Sequence, residues 1–206
     1  MKRALILDLD NTIYPVSAIA DYLFNDLFAL IDRESGALDP ETIDAAKDEL
    51  TRKPFQWVAD KYHFTAQLKT KGVQLLKDMS YDLPMQPFEQ YHHIKSIRVD
   101  KFLVTTGFPK LQWSKIKQLG IEGDFLEIHV ADPESGQTKK DIFTDIMRRH
   151  NLAVEDVLVI GDDPDSEIKA AIELGIDTFL FDPADKHPKG TVAFKHRELK
   201  AVLDHI

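Results

Sequence analysis

Cysteine is absent from this 206-residue chain. That excludes disulfides, thiolate-bound zinc and every mechanism built on a cysteine nucleophile. Long apolar runs are missing as well: the first, at residues 4–7, is interrupted by Asp8 and Asp10, and none approaches the roughly 20 residues of a membrane-spanning helix. The same interruption argues against a secretory leader after Met1-Lys2-Arg3. A cytoplasmic location with no membrane partner is therefore expected. Positive charge is in deficit, with 26 Lys+Arg against 35 Asp+Glu and a net charge of −9. A nucleic-acid groove needs a basic face, and no Lys/Arg run supplies one. Internal repeats, heptads and low-complexity segments are also lacking. An apolar share of 43% and a charged share of 30% are ordinary for a globular protein, whose length allows one core plus a smaller insert. No residue pattern fixes an oligomeric state.

What is present starts at the beginning of the chain. Residues 4–7 are short and apolar and read as a buried parallel strand, with Asp8 at its carboxyl end and Asp10 two residues on. Ligands of open α/β sheets bind beyond the carboxyl ends of the strands, so these carboxylates point at a site. Held close, they repel unless a cation or proton sits between them. From Tyr14 to Ser96 no alternating pattern occurs. Helical spacing predicts one helix over about 19–31, capped by Ser17 or Asp21, another over 40–52 behind Asp39-Pro40, and shorter ones at 55–62, 66–79 and 87–97. Phe24, Phe28, Phe55, Trp57, Tyr62 and Phe64 read as core at helical spacing. His92-His93 reads as surface. From Lys101 strands at 102–105, 126–130, 157–160 and 178–181 alternate with helices at 111–119, 140–150 and 167–174. The expected fold is α/β: a doubly wound parallel sheet of five visible strands, formed by 1–13 and 100–206, with an all-helical cap inserted at 14–99.

Two further strand ends carry chemistry. Residues 102–104 run into Thr105-Thr106-Gly107, which offers hydroxyls and backbone N–H groups for phosphate oxygens. Residues 157–160 run into Gly161-Asp162-Asp163-Pro164-Asp165-Ser166-Glu167. Ahead of the helix at 140–150, Lys139-Lys140 can bring an ammonium to the same edge. Taken singly, each has a plain structural reading as a turn, a charged helix start or a solvated pair. Together, in this order, they are the parts of a magnesium-assisted phosphoryl-transfer site.

The order Asp8-Leu9-Asp10-Asn11-Thr12, Thr105-Thr106-Gly107, Lys139-Lys140 and Gly161-Asp162 resembles the four motifs of the haloacid dehalogenase-like (HAD) hydrolases. The resemblance implies a Rossmann-like core with a C1-type helical cap. It also implies Asp8 as the nucleophile forming an aspartyl-phosphate and Asp10 as acid/base. Magnesium would be held by Asp8, the Asp10 carbonyl and Asp162, and phosphate by Thr105, Thr106 and Lys139. Thr12, Asp163, Glu167 and Lys140 are the supporting or alternative positions. The third motif lacks the family's frequent Lys-Pro pair, and Glu167 or Asp163 stands where a second aspartate is common. The implied activity is hydrolysis of a small phosphate monoester. Asp10-Asn11-Thr12-Ile13-Tyr14-Pro15 is similar to the opening of the pyrimidine 5'-nucleotidase-like branch, which puts a nucleoside monophosphate first among substrates. The alternatives are a haloacid dehalogenase, a phosphomutase, or a non-catalytic phosphate- or partner-binding module.

Overall fold

A computed structural model of the chain describes residues 1–36, 38–187 and 192–206. Its sheet consists of β1 (Ala4–Leu7), β2 (Asp100–Thr106), β3 (Glu127–Ala131), β4 (Val157–Gly161), β5 (Asp177–Phe181) and β6 (Phe194–His196). All neighbours pair in parallel, in the order β3-β2-β1-β4-β5-β6. Parallel strands buried on both faces read as unbroken apolar runs, and side-chain alternation divides those runs between two cores. Leu5, Leu7, Leu103, Leu158 and Ile160 enter one cluster, while Ala4, Ile6, Phe102, Val104, Val157 and Val159 enter the other.

The second cluster is closed by α8 (Lys139–His150) and α9 (Glu167–Leu174), through Ile142, Phe143, Ile146 and Ala171. The first is closed by α7 (Pro109–Leu119) and by the 3-10 helix Leu199–His205. Between β1 and β2 lie α1 (Ala20–Leu23), α2 (Asn25–Glu34), α3 (Pro40–Leu50), α4 (Phe55–Lys61), α5 (Ala66–Asp78) and α6 (Tyr91–Ser96). Their apolar faces join the same cluster as α7, so apolar packing is continuous from the inserted helices to the sheet. α5 packs on α7, and α6 on the 3-10 helix Leu199–His205. The Phe88 N–H donates to Ile13 O at 2.8 Å and its ring meets Phe181 edge-on at 5.3 Å.

Several expectations are corrected. A sixth strand, β6, extends the sheet beyond the five visible in sequence. β3 begins one residue late, leaving Leu126 exposed. The helix expected over 19–31 is a 3-10 turn at Val16–Ala18 followed by α1 and α2, which are separated by Phe24 at φ −97° and ψ 0°. Neither Ser17 nor Asp21 caps it: Ser17 lies inside the 3-10 turn and Asp21 inside α1. By contrast Asp39 does cap α3, accepting from the Thr42 N–H at 2.9 Å with Pro40 at the first helical position. Trp57 is exposed rather than core, its ring flanked by the ammonium groups of Lys53 and Lys61. No helix among the described residues is long and apolar enough to cross a membrane.

Candidate active site

β1 is the point at which the strand order reverses, since its successor β2 lies on one side and β4 on the other. A crevice opens beyond the strand ends at such a switch point. Asp8 stands there, its N–H bonded to Ile160 O at 3.0 Å, and Asp162 follows β4 directly. The turn after β1 is tight: Asn11 takes a positive φ of 56°, and its side-chain oxygen accepts from the Val16 N–H at 3.1 Å. Thr12, fully buried, donates its hydroxyl to Asp162 Oδ1 at 3.3 Å.

Lys139 reaches the same crevice because of how α8 starts. Thr138 and Asp141 form a reciprocal capping box, which places Lys139 at the first helical position. Its Nζ lies 2.7 Å from Asp8 Oδ1 and 2.7 Å from Glu167 Oε2. Glu167 is almost fully buried, and its other oxygen accepts from the Asp163 N–H at 2.8 Å. Gly161 makes this possible, because a Cβ there would fall 2.1 Å from Glu167 Oε1. Lys140 points away and pairs with Glu173 on the surface. Asp163 does not face Asp8 and Lys139. Its carboxylate is held by Lys53, from the loop between α3 and α4, at 2.9 and 3.0 Å. Thr105 is buried at the end of β2, and Thr106 beside it is half-buried.

Asp10 sits in a network that sequence reading missed. Tyr14 Oη and Lys115 Nζ (2.9 Å) donate to its Oδ1, and Gln112 Nε2 donates to Oδ2 at 2.8 Å. Burial alone would raise the Asp10 pKa, but Lys115, Tyr14 and Gln112 outweigh it and hold it below the usual carboxylate range. The signal was present in α7, where Gln112 and Lys115 fall on the stripe of Leu111, Ile116 and Leu119. Polar residues at core positions need a partner.

The remaining charges do not cancel. Ligand oxygens of Asp8, Asp162 and Glu167 lie within 4.8 Å of one another. Burial, opposed by Lys139 and reinforced by Glu167 and Asp10, pushes Asp8 up to about 7. Burial with the charges of Glu167 and Asp8 drives Asp162 well above its ordinary value. Three neighbouring carboxylates and one ammonium, which pairs with Asp8 and Glu167, leave two negative charges in excess, the charge of one divalent cation. An all-oxygen set of this kind fits a small hard cation. Both Glu167 oxygens are engaged, so Asp8 and Asp162 are the side chains placed to ligate it.

These residues line a cavity of about 170 Å³ whose wall also includes Thr51, Arg52, Lys53 and Gln56. Such a space lies below the ~300–1,000 Å³ of sites for drug-sized ligands.

A ribulose-1,5-bisphosphate 5-phosphatase of Halopiger xanaduensis is 24% identical over 90% of this chain and 87% of its own. A glyceraldehyde 3-phosphate phosphatase of Methanopyrus kandleri is 28% identical over 86% of this chain and 83% of its own. The HAD-hydrolase YfnB of Bacillus subtilis, solved bound to magnesium, shares the fold with a TM-score of 0.68 at 21% identity, covering 99% of this chain and 98% of that one. The family model for haloacid dehalogenase-like hydrolases matches residues 2–175, and the chain belongs to that family.

Proposed function

We propose that this hydrolase is a magnesium-dependent phosphatase of small phosphorylated metabolites that works through an aspartyl-phosphate on Asp8. The observation that carries the reading is the crevice itself, where Asp8 and Glu167 share the ammonium of Lys139 and Asp162 brings a third carboxylate within 4.8 Å of both. A carboxylate is a weak nucleophile toward a phosphate dianion unless positive charge neutralises the oxygens it approaches. Asp8, Asp162 and the Asp10 carbonyl would hold magnesium, which would supply part of that charge.

The chain's own groups do the rest. Lys139 fixes one Asp8 oxygen, leaving the other to attack phosphorus in line as the ester P–O bond breaks. Thr105 and Thr106 hold phosphoryl oxygens. Asp10, held ionised by its partners, takes up the proton that a phosphate monoanion brings and passes it to the departing alkoxide, then takes one from the water that attacks the aspartyl-phosphate. The Asp8–phosphorus bond breaks, and inorganic phosphate and the free Asp8 carboxylate result. Glu167 orients Lys139, and Thr12 orients Asp162.

For the substrate, the small cavity and two relatives named for ribulose-1,5-bisphosphate and glyceraldehyde 3-phosphate favour a compact phosphorylated sugar over a nucleoside monophosphate. Residues 14–99 act as the cap that covers the bound ester and excludes water. The test is phosphate release from a panel of sugar phosphates and nucleotides, with and without magnesium. Activity abolished by chelation, restored by magnesium, and reduced at least about 10⁴-fold in Asp8→Asn is the expected result. Halide release from haloacids without metal, or turnover that survives in Asp8→Asn, would overturn it.

A further inference from the structure

The α7 face that meets Asp10 spends buried polar groups on a single carboxylate. Gln112 and Lys115 are three residues apart, share one side of the helix, and are 1% and 5% exposed. Burying an amide and an ammonium among Leu111, Ile116 and Leu119 is unfavourable unless both find partners. They find the same one: Lys115 donates to Asp10 Oδ1 and Gln112 to Asp10 Oδ2.

Gln112 does more than hold Asp10. Its Nε2 lies 2.8 Å from Asp10 Oδ2, 2.7 Å from Thr105 Oγ1 and 3.3 Å from Thr106 O. The nitrogen must be the atom that faces them, because a flipped amide would set its carbonyl oxygen against a carboxylate. The two shorter contacts take its two hydrogens. Thr105 Oγ1 therefore accepts from Gln112, which leaves the hydroxyl's own hydrogen to be donated into the cavity. The close fit has a counterpart in the backbone, since a Cβ on Gly107 would come within 2.9 Å of Gln112 Cδ and Cγ.

We propose that Gln112 and Lys115 are positioning residues that clamp the Asp10 carboxylate and the Thr105 hydroxyl in register with the leaving oxygen and the phosphoryl group. This rests on the phosphatase reading above. A displacement of about 1 Å in such groups can cost on the order of 10²-fold in turnover. The cost should be greatest where the leaving oxygen most needs its proton.

The test compares Gln112→Met, Lys115→Met and Lys115→Arg with the unaltered protein on an alkyl phosphate and on an activated aryl phosphate. Gln112→Asn, which keeps the amide but shortens its reach, serves if Gln112→Met does not fold. For either Met variant, kcat on the alkyl ester should fall about 10²-fold with KM changed less than about threefold. The aryl ester should lose far less, and Lys115→Arg should recover most of the alkyl rate. Undiminished rates, or equal losses on both esters, would overturn the clamp. If the unaltered protein hydrolyses neither ester, the phosphatase reading has failed instead. The clamp is then read from a crystal structure of the Gln112 variant, in which Asp10 should swing away from Thr105, and an unmoved Asp10 carboxylate would sink the proposal.

Discussion

At the scale of single residues, the two adjacent lysines have opposite environments. Lys139 pairs with two buried carboxylates, Asp8 and Glu167, whereas Lys140 pairs with Glu173 in solvent. Removing one partner of a buried ion pair strands the others, at about 3–5 kcal/mol. Lys139→Ala should therefore lower stability by that amount, seen in denaturant unfolding, and reduce turnover by about 10²-fold or more. Lys140→Ala should change stability by less than about 0.5 kcal/mol and leave turnover intact. The reversed pattern would place the third motif one residue on, at Lys140. The carboxylates at strand ends were legible in sequence because an apolar strand that stops at Asp has few other readings. Gln112 and Lys115 were not, since their partner Asp10 lies 102 and 105 positions away and a helix stripe does not say what its polar members face; Tyr14 lies only four from Asp10, but an irregular turn does not show where its hydroxyl points.

At the scale of elements, Lys53 in the loop between α3 and α4 ties the inserted helices to the loop after β4, gripping Asp163 and also Asp165 at 3.2 Å. Burial works to lower the Lys53 pKa, but both carboxylates outweigh it, so the lysine stays charged. The pair is partly exposed, and a bridge of this kind contributes at most about 1 kcal/mol. Lys53→Met should leave the melting temperature nearly unchanged while KM for a small ester rises by up to about fivefold. Added salt should raise KM in the unaltered protein and much less in the variant. A salt response identical in both would remove the latch. Element types followed from periodicity, and α3 was signalled down to its cap. β6 was not: Phe194-Lys195-His196 is too short to show a pattern, and it exists because β5 offers it an edge. The break at Phe24 was equally silent, because the apolar spacing continues across it.

At the scale of the whole molecule, the excess negative charge in the crevice couples folding to pH and to metal. Asp8 and Asp162 carry folded-state pKa values raised above those of an unfolded chain. A carboxylate of this sort binds more protons folded than unfolded, so stability falls as pH rises from the ordinary carboxylate range toward about 7. The chelated protein should accordingly melt at a lower temperature at pH 8 than at pH 5.5, and magnesium should raise the pH 8 value and flatten the slope. A chelated protein equally stable at both pH values would show that the two charges are balanced by groups of the protein alone. The parallel arrangement of the sheet also sets the order in which the chain can assemble. β1 is made first, yet its neighbours are β2, which begins at Asp100, and β4, which begins at Val157. At ribosomal speeds of ~5–20 residues per second, β1 waits roughly 8–30 s for its second partner. Until then its backbone N–H and C=O groups have no sheet to join on that side, while the helices that follow it can already form from local contacts. The strand that runs into Asp8 is thus, among the described strands, the one that waits longest for its second neighbour, and a holding chaperone acting during synthesis would have a durable target there.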